Sequence, residues 1–216
     1  MKLQRGLTLI EMVIAISLLA IMISAIVFSF DGSKSRAQVL VAAMEEYTGA
    51  LERMKTDTSC YPRSLAALID RSKALTGANS WCGADLSLQW NGPYVKAAPT
   101  REGTVVAGQD VILMSQLSPD LTLRIARNAS QFGGGGPLTW KWFIVADQVP
   151  QEILTQALSV CNGFDGAVSA TTTTTGTRKC AKNGDSPGYD IGTLSLQAAA
   201  DGTPGSFSLL FAETRQ

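Results

Sequence analysis

From Leu7 to Phe30 the chain is apolar, interrupted by small polar residues such as Thr8, Ser17 and Ser24 and by one charge, Glu11. As a helix, these 24 residues reach about 36 Å at 1.5 Å per residue, enough to cross a hydrocarbon layer about 30 Å thick. Lys2 and Arg5 precede the run and place Met1 on the cytoplasmic side. A secretory signal peptide has a shorter apolar stretch. A plain anchor fits the length but not Glu11, because a charge in a bilayer costs about 2.5–3.5 kcal/mol on insertion scales and usually has a partner.

A second pattern follows Asp31-Gly32-Ser33, a break where the helix is expected to be flexible or locally melted. Ala37, Leu40, Met44, Tyr47, Leu51 and Met54 recur three or four apart and form one apolar stripe at helical period. Lys34, Arg36, Glu45, Glu46, Glu52, Arg53 and Lys55 lie mostly off the stripe, which is expected to pack on its own domain and to end before Pro62. Tyr61–Ile69 reads as a turn and a short helix capped by Ser64. Residues 70–103 read as a long loop, with Trp81 and Trp90 packed beneath it and Asn91-Gly92-Pro93-Tyr94 near its end. Strand signals occupy Thr104–Met114 around Gly108, Leu121–Ile125, Leu138–Ala146, Ile191–Leu196 and Ser206–Ala212. Pro150–Leu158 reads as a short helix with proline in its first turn, stopped by Asn162-Gly163. Thr171–Thr175 reads as an exposed loop. Strands in succession, rather than alternating with helices, predict an α+β fold with an antiparallel sheet.

Composition narrows the chemistry. Of the 216 residues 17% are charged, against about a quarter in a typical globular chain, and 18 basic residues balance 18 acidic ones. A nucleic-acid partner, which needs a basic footprint, is not expected. Histidine is absent, which removes the commonest general base and metal ligand and every Ser-His or Cys-His pair. Gly133–Gly136 with Pro137 lacks the GK[ST] of a phosphate loop. Asp165, Asp185, Asp190 and Asp201 have no calcium-loop spacing and read as solvated. Asn128-Ala129-Ser130 matches a glycosylation sequon, too short a pattern to carry weight. No enzyme activity, cofactor or metal is expected.

Cys60, Cys82, Cys161 and Cys180 contain no C-x-x-C pair. An even count in an exported head suggests disulfides. Three pairings exist, beside the alternative of four free thiols. Sequential pairing, Cys60–Cys82 and Cys161–Cys180, closes loops of 21 and 18 intervening residues and would stabilise the head by about 3 kcal/mol each.

Lys2-Leu3-Gln4-Arg5-Gly6-Leu7-Thr8-Leu9-Ile10-Glu11-Met12-Val13-Ile14-Ala15 resembles the leader and helix start of type IV prepilins, the family of major pilins, minor pilins and type II secretion pseudopilins. The resemblance implies cleavage by a prepilin peptidase between Gly6 and Leu7, N-methylation of Leu7, and Glu11 as the acid that sets register during assembly. Leu7 stands where the family usually has phenylalanine, and Phe28 where many members have a helix-kinking proline. The stretch from Cys60 to Tyr94 resembles the loop after the first helix in many members, and the Cys161–Cys180 pair resembles their C-terminal disulfide-bounded region.

The implied architecture is a pilin fold, a long N-terminal helix, half transmembrane and half amphipathic, on an antiparallel sheet. Its parts are a leader (1–6), a transmembrane and assembly helix (7–30), an amphipathic continuation (31–59) and a head (60–216). The implied function is a structural subunit of a type IV pilus, in adhesion, motility or related surface roles. Length and the C-terminal cysteine pair resemble type IVb pilins. Alternatives are a type II secretion pseudopilin and a membrane-anchored ligand-binding protein. Implied partners are copies or related pilins, the peptidase, the membrane and an inner-membrane assembly platform. The precursor would sit in the inner membrane and the product in a periplasm-spanning or cell-surface filament.

Overall fold

The stripe from Ala37 to Met54 becomes the buried face of helix α1, Gly32–Thr58. A computed structural model describes residues 10, 12–17, 32–75, 80–101, 110–131, 138–163, 179–182 and 203–215. Val41, Ala50 and Thr58 widen the stripe. Leu40, Met44, Leu51 and Met54 are fully enclosed, and burying each such side chain is worth about 1.5–3 kcal/mol. The helix stops at Ser59, whose φ of 59° is left-handed and whose N–H donates to Lys55 O at 2.7 Å. Residues 18–31 lie outside the described residues; of the expected break at Asp31-Gly32-Ser33, Gly32 and Ser33 are already helical.

Ser64 caps the 3₁₀ turn Leu65–Leu68, its hydroxyl accepting from Ala66 N at 3.1 Å. The long loop holds more order than expected: a second 3₁₀ turn, Arg71–Ala74, capped by Asp70, and a two-residue strand. Six strands are described: β1 Thr100–Arg101, β2 Val111–Leu113, β3 Thr122–Gln131, β4 Leu138–Val149, β5 Cys180–Lys182 and β6 Gly205–Arg215. They form one antiparallel sheet in the order β1-β2-β3-β4-β6-β5. β3 and β4 pair in unbroken register from Thr122↔Asp147 to Gln131↔Leu138, longer than the alternation at Leu121–Ile125 predicts. The expected strands at 104–109 and 191–196, and the Gly133–Gly136 and Thr171–Thr175 loops, lie outside the described residues.

Period-two alternation turns Leu123 and Ile125, Ile144 and Ala146, and Phe207 and Leu209 toward α1, and these close the core. Helix α2, Gln151–Cys161, lies beside α1 and adds Ile153, Leu154, Ala157 and Leu158. Pro150 is the residue before its first turn rather than inside it. Asn162 ends it and fastens it to β5: its amide donates to Leu158 O and Cys180 O, and its carbonyl oxygen accepts from the N–H groups of Lys179 and Cys180.

Candidate functional site

Two regions carry the chain's chemistry. The first is the N-terminal helix. Ile10 and Met12–Ser17 are helical, and Ile10, Met12, Val13, Ile14 and Ile16 are each more than half exposed, at 67%, 52%, 53%, 54% and 63%. Ser17 donates its hydroxyl to Val13 O at 2.7 Å, which satisfies it without water. Such a surface is costly in water and marks a place meant to be covered. Gly6, Leu7 and Glu11 lie outside the described residues, as does most of 7–30. Among the described residues no helix is long and apolar enough to cross a membrane.

The second region is the end of the head at the last turn of α1. Disulfides join Cys60 to Cys82 and Cys161 to Cys180. Beside the first lies a cavity of about 270 Å³ lined by Lys55, Tyr61, Trp81, Arg127, Trp140 and Trp142 among others. Tyr61 packs on Trp142, with ring centres 4.5 Å apart, and meets Phe211 edge-on at 5.5 Å. Trp142 Nε1 donates to Thr214 Oγ1 at 3.0 Å. Tyr61 donates its hydroxyl proton to Glu52 and accepts at the same hydroxyl from Lys55 Nζ at 3.1 Å.

The expected Gly-Pro-Tyr element fastens the long loop to α1. Tyr94 N donates to Leu68 O at 2.8 Å, Tyr94 Oη donates to Asp57 Oδ2 at 2.7 Å, and Arg53 donates to Tyr94 O at 2.9 Å. A Cβ at Gly92 would fall 2.7 Å from Trp90 and 2.8 Å from Tyr94, so only glycine fits. Trp90 Nε1 donates to Ala67 O, and Trp81 and Trp90 pack against the core beneath the loop.

Burial, followed by the hydrogen bond to Glu52, raises the Tyr61 pKa strongly. Burial also raises Tyr47, with Glu46 adding, and Tyr94, where Asp57 adds and the Asn91 N–H opposes. The unfolded chain releases these protons near pH 10 while the folded one retains them. Their contribution to stability is therefore complete below about pH 10 and lost as pH rises beyond it. Of the four tyrosines, only Tyr189 lies outside the described residues. Tyrosinate absorbance near 295 nm is expected to stay low past pH 10 for the other three until the head unfolds; ordinary titration of the native protein would contradict this.

A family model described as the prokaryotic N-terminal methylation motif matches residues 1–27. Among curated proteins, type II secretion system core protein G of Klebsiella pneumoniae is 30% identical over 115 residues, covering 49% of this chain and 82% of that protein. The chain belongs to the type IV pilin-like family. It is a pilin or pseudopilin subunit, and its matches are to structural subunits rather than enzymes. No solved structure matches it at a significant level.

For this pilin-like subunit the aspartates weighed for calcium, Asp165, Asp185, Asp190 and Asp201, lie outside the described residues. Among the described residues no cluster of His, Cys, Asp or Glu could hold a metal. Arg127 was not among the residues the strand pattern singled out. The signal was present: extending the alternation Leu121, Leu123, Ile125 by one step puts a guanidinium on the core face of β3.

Proposed function

We propose that the chain is a filament subunit, cut between Gly6 and Leu7, N-methylated at Leu7 and polymerised through its N-terminal helix. The observation carrying this reading is the exposed apolar helix surface at Ile10 and Met12–Ile16, inside the methylation motif of residues 1–27. A bilayer covers that surface in the precursor, and neighbouring helices cover it in the filament. In this reading residues 1–6 are the leader, 7–30 the membrane and assembly helix, 31–59 its continuation and 60–216 the head. The precursor sits in the inner membrane with Met1 cytoplasmic, and meets the prepilin peptidase and an assembly platform there.

Cleavage leaves an ammonium on Leu7, and methylation keeps its charge. In a packed bundle this group can pair with Glu11 of a neighbour. An unpaired charge there costs several kcal/mol, so pairing selects one axial stagger. Mass spectrometry of the mature protein is expected to find N-methylated Leu7 as the first residue. Glu11→Ala is expected to reduce filaments to about a tenth or less at unchanged protein level. Met1 retained in cells with active peptidase, or normal filament yield from the variant, would refute the reading.

Similarity to a type II secretion core protein supports a periplasm-spanning secretion filament. A second reading, a surface type IV pilus serving adhesion or motility, is favoured by the disulfide-bounded region at Cys161–Cys180. Abundance in sheared surface fibres separates the two.

A further inference from the structure

Two guanidinium groups lie over the indole of Trp81, Arg63 at 4.9 Å and Arg127 at 4.3 Å from the ring centre. Arg127 is also 4.2 Å from the Trp140 ring and 5.9 Å from that of Trp142. Three indoles thus wall one cation. Neither guanidinium has an ion pair or hydrogen bond to any described residue. Arg63 Nε and Trp81 Nε1 are both buried without an acceptor. Burial, and then the nearby Arg63 charge, lower the Arg127 pKa. Lys55 brings a third cation to the rim, where the Glu52 carboxylate is engaged by the Tyr61 hydroxyl. Lys55 and Trp142 have acceptors in Tyr61 Oη and Thr214 Oγ1, but among the described residues the two guanidinium groups and Trp81 Nε1 have none, so the cleft gathers positive charge and spare N–H donors that an entering anion would satisfy.

The shape limits the anion. A volume of about 270 Å³ holds one sugar-sized or amino-acid-sized group. The walls are indole and phenol faces, against which a dianion would be costly to desolvate, whereas a planar carboxylate matches a guanidinium edge. Position also matters. Lys55 and Ser59, at the end of α1, line the cleft. It lies about 40 Å of helix from Gly32, where the chain enters from the apolar segment. A solute, rather than a lipid, meets this end of the head.

We propose that the cleft is a carboxylate site, taking a small monocarboxylate the size of a single hexuronic acid, with Arg127 holding the carboxylate and the indoles lying against its apolar edge. Trp81, Trp140 and Trp142 supply the signal. Full-length protein in a non-ionic polyoxyethylene detergent is titrated with sodium glucuronate at constant ionic strength, and tryptophan fluorescence is followed. A saturable change is expected, with a midpoint of about 1–10 mM, and none with glucose. Arg127→Gln should weaken binding about tenfold or more, and Arg127→Lys should recover part of it. Because Arg127 also packs on three indoles, Arg63→Gln is the second variant. Arg63 does not itself line the cleft but lies over the Trp81 wall, so its loss removes a nearby charge and should weaken binding about threefold with unchanged circular dichroism.

Equal responses to glucose and glucuronate, or none to about 50 mM glucuronate, would overturn the proposal. So would Arg127→Gln and Arg63→Gln that lower thermal stability and leave the titration unchanged. Tighter binding of inorganic phosphate would overturn the choice of a carboxylate. A signal that varies with protein concentration instead of glucuronate would place a second copy's side chain in the cleft and overturn the small acid.

Discussion

Replacing Phe207 by alanine is expected to lower the stability of the head by about 3–5 kcal/mol. Phe207 is fully buried on β6, which pairs with β4 on one side and β5 on the other. Its neighbour across β4 is Ala146, too small to collapse into the space left behind, and the backbone on both flanks is held by ladder hydrogen bonds. The cavity therefore persists, and its cost adds to the lost transfer energy. Denaturant unfolding followed by tryptophan fluorescence measures the loss. The same change at the half-buried Phe211 is the comparison, and a smaller loss is expected there. A loss below about 1 kcal/mol at Phe207 would mean that β6 does not close the core as described.

Removing the second disulfide, with Cys161 and Cys180 both changed to serine, is expected to cost about 3 kcal/mol. The bridge joins the last residue of α2 to the first of β5, with a sequence separation of 19. β5 has only three register pairs with β6, so its docking depends on what ties it to the helical layer. Two other ties remain. Asn162 keeps its hydrogen bonds to Lys179 and Cys180. The Lys179–Glu45 ion pair, at 2.6 Å, has both partners half exposed and contributes at most about 1 kcal/mol. The serine pair should therefore stay folded, with a lower denaturation midpoint and faster amide exchange confined to β5 and the end of α2. An unchanged midpoint would show that Asn162 alone sets the position of β5.

What the sequence disclosed about this fold follows from the range of the forces involved. The α1 stripe was legible because one helical face meets one continuous core, and each stripe residue from Ala37 to Met54 is buried. Ser64 and Asn162-Gly163 were legible because caps act within three or four residues. β1 and β5 were not, because strands of two and three residues have no period to detect; only their partners define them. The cleft was half legible. Trp81 read as packed beneath the loop, which it is, but only the closed sheet brings Arg127 and Trp140 to it. The roles of Gly6, Leu7 and Glu11 rest on the motif alone, because these three residues lie outside the described ones.

Among the described residues the sheet's outermost strands, β1 and β5, are two and three residues long. An added strand that paired with β1 or β5 itself would find only two or three described residues to bond to, too few to repay the ordering of its own chain. Polymerisation is left to a surface that can be hidden until it is required.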